Sequence, residues 1–181
     1  MTPKPVRDSH TTITELMIPA YANFGGKIHG GIILSLMDKV AYAAASKHAG
    51  TYCVTVSVDR VDFLQPVEVG ELVSLHASVN YVGRTSMIVG IRVEALNVKT
   101  SVVKHTNSSY FTMVAKENDK PTQVPPLALQ NDEEVKRFIE AMRMKEIRNK
   151  VKEEMDDAKS NIEVARAGEI LKNERCLIQY K

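Results

Sequence analysis

The sequence predicts an α+β fold: an antiparallel sheet packed around one central helix, followed by a helical extension. Three features predict it. A long apolar segment runs from about Gly31 to His48 without a strand-like alternation. Four segments with period-two alternation then follow one another directly. Beyond the proline-marked stretch of Pro121, Pro125 and Pro126, the composition turns charged and helical.

The elements read in order as follows. Thr12, Thr14, Leu16 and Ile18 alternate with other residues and form a short first strand that Pro19 ends. A Gly-rich loop leads into the helix, whose Ile32, Ile33, Leu34, Leu36, Met37, Val40, Ala41, Ala43, Ala44 and Ala45 leave almost no polar face. A helix apolar all round is normally buried, which places it inside a wrapping sheet. Gly50 suits the residue that closes its C-terminus. Tyr52, Val54, Val56 and Val58 keep period two, and the apolar set then shifts to Val61 and Phe63, which predicts a bulge near Asp59-Arg60. Pro66 and Gly70 mark a turn. Leu75, Ala77, Val79 and Tyr81 make the next strand, and Met87, Val89, Ile91, Val93 and Ala95 the one after it. Tyr110 to Ala115 supply the last, with Phe111, Met113 and Ala115 on one face. Short connections make the sheet antiparallel, and its open edges predict pairing with further copies of the chain.

The extension starts at Asn131, which with Glu134 resembles a capping box. Val135, Phe138, Ile139 and Met142 give it an apolar first half. Val151, Met155, Ala158, Ile162 and Ala165 then form a heptad-like seam, with Gly168 expected to interrupt the helix. A solvated helix docked on its own oligomer is the favoured reading over a recruitment helix.

Composition narrows the function classes. The chain has 181 residues, 44% hydrophobic content and a formal net charge of +2. That balance argues against a nucleic-acid partner, and the absence of tryptophan leaves no base-stacking platform. Two distant cysteines, Cys53 and Cys176, make neither a disulfide framework nor a metal site. No apolar run reaches the roughly 20 residues of a membrane span, and the N-terminus lacks a signal core. The expected location is cytoplasmic.

The chemistry concentrates in Asn23-Phe24-Gly25-Gly26-Lys27-Ile28-His29-Gly30-Gly31 and in Asp38 beyond it. Gly30 and Gly31 open the helix, where unpaired N–H groups and partial positive charge favour a developing oxyanion. The same glycines also suit a plain close approach of helix and strand. Asp38 is an acid in an apolar helix: paired with Lys39 or Arg60, lying at an exposed edge of the helix, or placed for chemistry. It follows Gly31 by about two turns, roughly 10 Å of rise, too far to act on the same carbonyl. Facing the glycines of a second subunit solves that geometry. Asn23 is a turn residue whose amide can also orient water or a carbonyl. His29 is a candidate base or a satisfied structural residue. No Ser or Cys nucleophile sits in a recognisable elbow, so water activated by Asp38 is the simpler route, with direct attack by its carboxylate through an anhydride as the other. Gly83, Arg84, Thr85 and Ser86 offer a turn glycine, a cation and two hydroxyls, which suit a phosphate and equally an ordinary hairpin.

These residues resemble a family. NFGGKIHGGIILSLMD (23–38), VTVSVDRVDFLQPVEVG (54–70), VGRTS (82–86) and FTMVAKENDKPTQVPP (111–126) together are similar to the hotdog-fold acyl-CoA thioesterases, in the branch of the cytosolic and brain-type acyl-CoA hydrolases. The resemblance implies a hotdog domain over 9–127 and leaves a charged helical extension over 131–181 outside it. It implies catalytic roles for Asn23 and Asp38, acting from opposing protomers. Gly30 and Gly31 match the oxyanion element, and Gly83, Arg84, Thr85 and Ser86 the coenzyme A contacts. Hydrolysis of acyl-CoA to a fatty acid and coenzyme A is the implied reaction. It needs no metal or redox cofactor, and coenzyme A arrives with the substrate. The implied assembly is a dimer of hotdogs, commonly built into a hexamer. Two rivals stand beside this: a hotdog dehydratase, which His29 keeps open, and a non-enzymatic acyl-CoA-binding regulator, for which the chain shows no DNA-binding module.

Overall fold

The computed structural model describes residues 1–179. The chain divides into two compact units, 1–141 and 142 onward. In the first, β1 (Lys4–Pro5), β2 (Thr11–Leu16), α1 (Gly30–Ala49), β3 (Tyr52–Val58), β4 (Leu72–Val82), β5 (Ser86–Asn97), β6 (Val102–Glu117), β7 (Lys120–Pro121) and β8 (Leu127–Ala128) follow in order. The main sheet has the order β2-β4-β5-β6-β3, with β7 on β6, and every pairing in it is antiparallel. A parallel pair, β1 with β8, ties the N-terminus to the segment after the prolines.

Alternation decides which side of each strand meets the helix. Val73, Leu75, Ala77 and Val79 of β4, Met87, Val89, Ile91, Val93 and Ala95 of β5, and Phe111, Met113 and Ala115 of β6 all turn inward and are buried. They pack on Ile33, Leu36, Met37, Val40, Ala41, Ala44 and Ala45 of α1. Gly50 ends the helix in the left-handed conformation, φ 73°, and its N–H bonds to the Ser46 carbonyl. A strand-rich sheet around one helix is the expected architecture.

Three local expectations change. In β2 the exposed face carries Thr12, Thr14 and Leu16, while Ile13 turns toward the core opposite Leu75. Thr12 and Thr14 instead meet His76 and Ser74 on the outer face. The bulge of β3 lies between Thr55 and Ser57, and the chain from Asp59 to Pro66 is a loop, not a continued strand. That loop is stitched to β6 through the Asp59 N–H to the Tyr110 carbonyl and the Leu64 N–H to the Thr106 carbonyl. Third, α1 is not buried all round. Leu34, Asp38 and Tyr42, spaced by four, form an exposed stripe. Beside it the edge strand β3 exposes Tyr52, Val56 and Val58.

Helix α2 (Asp132–Ser160) begins in the first unit, where Phe138 packs on Tyr81 and Ala141 is buried. Asn131 Oδ1 accepts from the Glu134 N–H, and Glu134 reaches back to the Gln130 N–H. This is the expected capping box with its return bond one residue earlier. In the second unit α2 ends at Ser160, before Gly168, which lies inside the short α3 (Ala167–Ile170). Ile147, Val151, Met155 and Ile162 are exposed.

Candidate functional site

The loop from Ala22 to His29 is built on Asn23. Its Oδ1 accepts from the N–H groups of Gly25 (2.9 Å) and Lys27 (3.2 Å). Its backbone exchanges bonds with Lys27 and Gly26. The loop is anchored to the rest of the fold by the Ile28 N–H to the Val67 carbonyl and the His29 N–H to the Tyr21 carbonyl. With the amide oxygen occupied twice, Nδ2 is the part of Asn23 left to donate outward.

His29 is the N-cap of α1. Its Nδ1 accepts from the Gly31 N–H at 2.9 Å, and its carbonyl receives the Ile32 N–H. A neutral ring accepting at Nδ1 carries its proton on Nε2, so neither nitrogen is a base while the cap holds. Gly31 is small for the same reason: a Cβ there would lie 3.1 Å from His29 Nδ1. The Gly31 N–H is therefore engaged, and Gly30 supplies the remaining helix-start donor of the pair. A Cβ on Gly30 would come within 3.1 Å of the Phe63 ring. Both glycines are thus crowded by a ring, but neither ring belongs to a strand: Phe63 lies in the loop after β3 and His29 is the helix's own cap.

Asp38 does not pair with Lys39 or Arg60. Its Oδ1 accepts the Thr55 hydroxyl at 2.6 Å, a short charge-assisted bond from the helix to the edge strand. Thr55 Oγ1 also touches Met113 Sδ at 3.3 Å, which fixes its rotamer from behind. Arg60 pairs with Asp62 in the loop. Thr55 was not foreseen as a site residue. The signal for it was its place on the predicted strand next to the helix that bears Asp38, but sequence gives no register between a helix and a strand.

Within one chain the two halves stay apart. Asn23 and Gly30 line one cleft, of about 430 Å³, with Ile33, Phe63, Leu64 and Val67. Asp38 and Thr55 line another, of about 350 Å³, with Tyr42 and Tyr52. No residue is common to both. Gly83, Arg84, Thr85 and Ser86 make the β4–β5 hairpin turn, closed by the Gly83 N–H to the Ser86 carbonyl at 2.8 Å. The Arg84 and Thr85 carbonyls accept from Val124 and Ala115, leaving the Arg84 side chain exposed. None of the four lines either cleft. Among the described residues no cluster of His, Cys, Asp and Glu has metal-site geometry, and no helix is long and apolar enough to cross a membrane.

Residues 25–111 match the thioesterase superfamily. The protein VdlD of Helicobacter pylori is 46% identical over 135 residues, 75% of this chain and 78% of that relative. The cytosolic acyl coenzyme A thioester hydrolase of Rattus norvegicus is 31% identical over 141 residues, 76% of this chain but only 37% of its own length. An apo-hexameric acyl-CoA thioesterase superposes with a TM-score of 0.80 at 39% identity, over 83% of this chain and 97% of that one. The Staphylococcus aureus acyl-CoA hydrolase, solved with butyryl coenzyme A, coenzyme A and coenzyme A disulfide, gives 0.78 at 29% identity, over 87% and 96%. Structures of that hydrolase with single alanine replacements of an asparagine, an aspartate and a threonine match as well. Those three residues lie at the same mutual spacing in sequence as Asn23, Asp38 and Thr55.

Proposed function

Because the chain belongs to the thioesterase superfamily, we propose that it hydrolyses acyl-CoA thioesters to a fatty acid and coenzyme A, with Asn23 of one protomer and Asp38 of another at each site. The observation that carries this reading is the split site. One cleft has donors for a carbonyl oxygen, the other a carboxylate held by Thr55, and neither is complete alone. The exposed stripe of Leu34, Asp38 and Tyr42 and the apolar edge of β3 supply a face on which a second copy can close the site. The matching spacing in the Staphylococcus aureus hydrolase supports the same three residues.

The chemistry follows from the two halves. Asn23 Nδ2 and the Gly30 N–H donate to the thioester oxygen, and the helix dipole favours the negative charge that grows there. Thr55 holds Asp38 Oδ1 and leaves Oδ2 to take a proton from water. The water oxygen bonds to the carbonyl carbon, the C–S bond breaks, and the proton passes to the departing sulfur. Water and the chain's own residues suffice, without a metal or redox cofactor. Arg84, Thr85 and Ser86, with Gly83 at the turn, are the residues for coenzyme A phosphate, since Arg84 is an exposed cation beside two hydroxyls. Assembly is a dimer built into a hexamer, as in the hexameric thioesterase of similar fold, and the location is cytoplasmic, as for the cytosolic relative.

Thiol release from acyl-CoAs of graded length tests the reading. Wild-type protein is expected to turn over, with kcat down about 100-fold or more in Asp38→Ala and clearly reduced in Asn23→Ala. Full activity in the Asp38→Ala protein defeats the mechanism.

A further inference from the structure

The cleft at the start of α1 has more apolar wall than the reaction itself uses. Asn23 and Gly30 stand in it with Ile33, Phe63, Leu64 and Val67. Phe63 is its unusual member. Its ring lies on the bare Cα of Gly30, so close that any side chain there would meet the ring at 3.1 Å. Yet the side chain is no part of the core: Phe63 is 52% exposed and Leu64 59%.

The backbone that carries it is pinned on both sides. Asn107 Nδ2 donates to the Asp62 carbonyl at 3.1 Å, and the Leu64 N–H donates to the Thr106 carbonyl at 2.9 Å. Farther back, Ser109 Oγ donates to the Asp59 carbonyl at 3.2 Å. Asn107 and Ser109 are buried polar residues on the inner face of β6, where their neighbours Phe111 and Met113 are apolar. Polar groups at such positions are costly unless bonded, and their bonds here go to this loop. A held backbone with a half-open aromatic ring beside a carbonyl-binding helix start is a wall, not a core element.

We propose that this cleft takes the first carbons of the acyl chain and that Phe63 is the specificity-determining residue that limits the length it accepts. The proposal rests on the thioesterase reading above. With the thioester oxygen at Asn23 and Gly30, the acyl carbons next to it meet Ile33 and the Phe63 ring. Each methylene that leaves water for this wall raises kcat/KM by about fourfold, and the gain stops where the chain has no more room beside the ring. The occupant is an aliphatic chain because Ile28, Ile33, Phe63, Leu64, Pro66 and Val67 make most of the wall, with Asn23, Lys27 and Gln65 as its polar members.

The test is kcat/KM for saturated straight-chain acyl-CoAs from acetyl to palmitoyl, measured by thiol release for wild type, Phe63→Ala and the milder Phe63→Leu. Wild type is expected to rise with length and then level. Phe63→Ala is expected to level at least two methylenes later, with a fivefold or larger gain in the ratio of kcat/KM on the longer substrates to that on acetyl-CoA. Phe63→Leu should fall between, and its milder change keeps the test open if the alanine protein does not fold. A uniform loss at every length, or an unchanged profile, overturns the proposal and leaves hydrolysis standing. An unchanged profile with an altered oligomeric state assigns the ring to a subunit contact, which also overturns it. No thiol release from any acyl-CoA by wild type removes both this proposal and the reading beneath it.

Discussion

The Thr55 hydroxyl donates to Asp38 Oδ1 at 2.6 Å, joining the edge strand β3 to the exposed stripe of α1. A hydroxyl with one proton can orient one carboxylate oxygen and no more. Replacing it by an isosteric methyl in Thr55→Val removes that orientation while keeping the contact with Met113 largely filled. The expected result is a fall in kcat of about 10-fold with little change in KM, since in the proposed mechanism the bond acts on the reacting group and not on substrate affinity. Thr55→Ser, which keeps the hydroxyl, should recover most of the loss. Equal effects of the two variants would show that Thr55 matters through packing.

His29 makes a second, opposite prediction. As an N-cap accepting from the Gly31 N–H, it contributes to stability, and losing a cap costs about 1 kcal/mol. His29→Ala should lower the melting temperature by a few degrees, about 2–4 °C for a protein of this size. Its kcat should stay within about 10-fold of wild type, far from the loss expected on removing a general base. His29→Asn or His29→Ser, both good caps, should restore the melting temperature. An unchanged melting temperature together with lost turnover would return His29 to the chemistry.

His48 sets a pH dependence of stability. It is buried at the end of α1, with Nε2 against the Pro125 carbonyl at 2.8 Å and Nδ1 without a hydrogen bond. Burial holds its pKa below the ordinary histidine value of 6.5, against the opposing bond to Pro125. In the unfolded chain the ring regains that ordinary value, so below it the unfolded state binds the extra proton first. Stability conferred by the neutral ring is thus present above pH 6.5 and declines as pH falls from there toward the folded pKa. Melting curves between pH 7.5 and about pH 5 should show this fall. His48→Gln should show a flatter profile, and an equally steep one would assign the effect to other groups.

The strand faces were legible in the sequence because period two sorts Leu75, Val79, Val89, Val93, Phe111 and Met113 to one side without any long-range information. That Gly31 and Asp38 of one chain stand too far apart to act on one carbonyl was legible too, since helix rise alone separates them. What could not be read was any partnership between distant segments. Nothing local says that Asp38 meets Thr55 and not Arg60, or that Phe63 leaves its strand to lie on Gly30. The all-round apolar character of α1 was ambiguous for a related reason. Hydropathy cannot distinguish a face buried by the chain's own sheet from one that the chain leaves exposed, and Leu34 and Tyr42 belong to the second kind. In β2, the threonines misled because Thr suits a strand on either face, while the single inward Ile13 decided the register.

Gly90 has a packing role that predicts a rescue. It sits in β5 opposite Ser78, and a Cβ there would overlap Asn80 Nδ2. Asn80 is buried, with its Oδ1 accepting the Ser78 hydroxyl, so its amide cannot swing aside without breaking that bond. Gly90→Ala should destabilise by about 1–3 kcal/mol, the usual cost of overpacking. The double variant Gly90→Ala/Asn80→Ala should be more stable than the sum of its single effects requires. Strict additivity in denaturant melts would refute the contact.

The shared site makes the sharpest prediction, because a site built from two chains can be repaired by mixing two defective ones. Asp38→Ala keeps Asn23, and Asn23→Ala keeps Asp38. If each site takes Asn23 from one protomer and Asp38 from the other, a mixed dimer has one intact site and one doubly defective site. Random one-to-one assembly gives half the dimers this composition, so about one quarter of the wild-type sites return. Co-expressing the two variants under separate affinity tags and purifying through both should therefore yield measurable thiol release. In a hexamer, selection through both tags removes only the assemblies made of one variant, so the expected recovery stays at about that quarter. A site formed within one chain has no route to repair, because every protomer in every combination carries one defect. Activity in the doubly tagged species no greater than the mean of the two parent variants would refute the shared site, and would require Asn23 and Asp38, which line separate clefts of one chain, to act without each other.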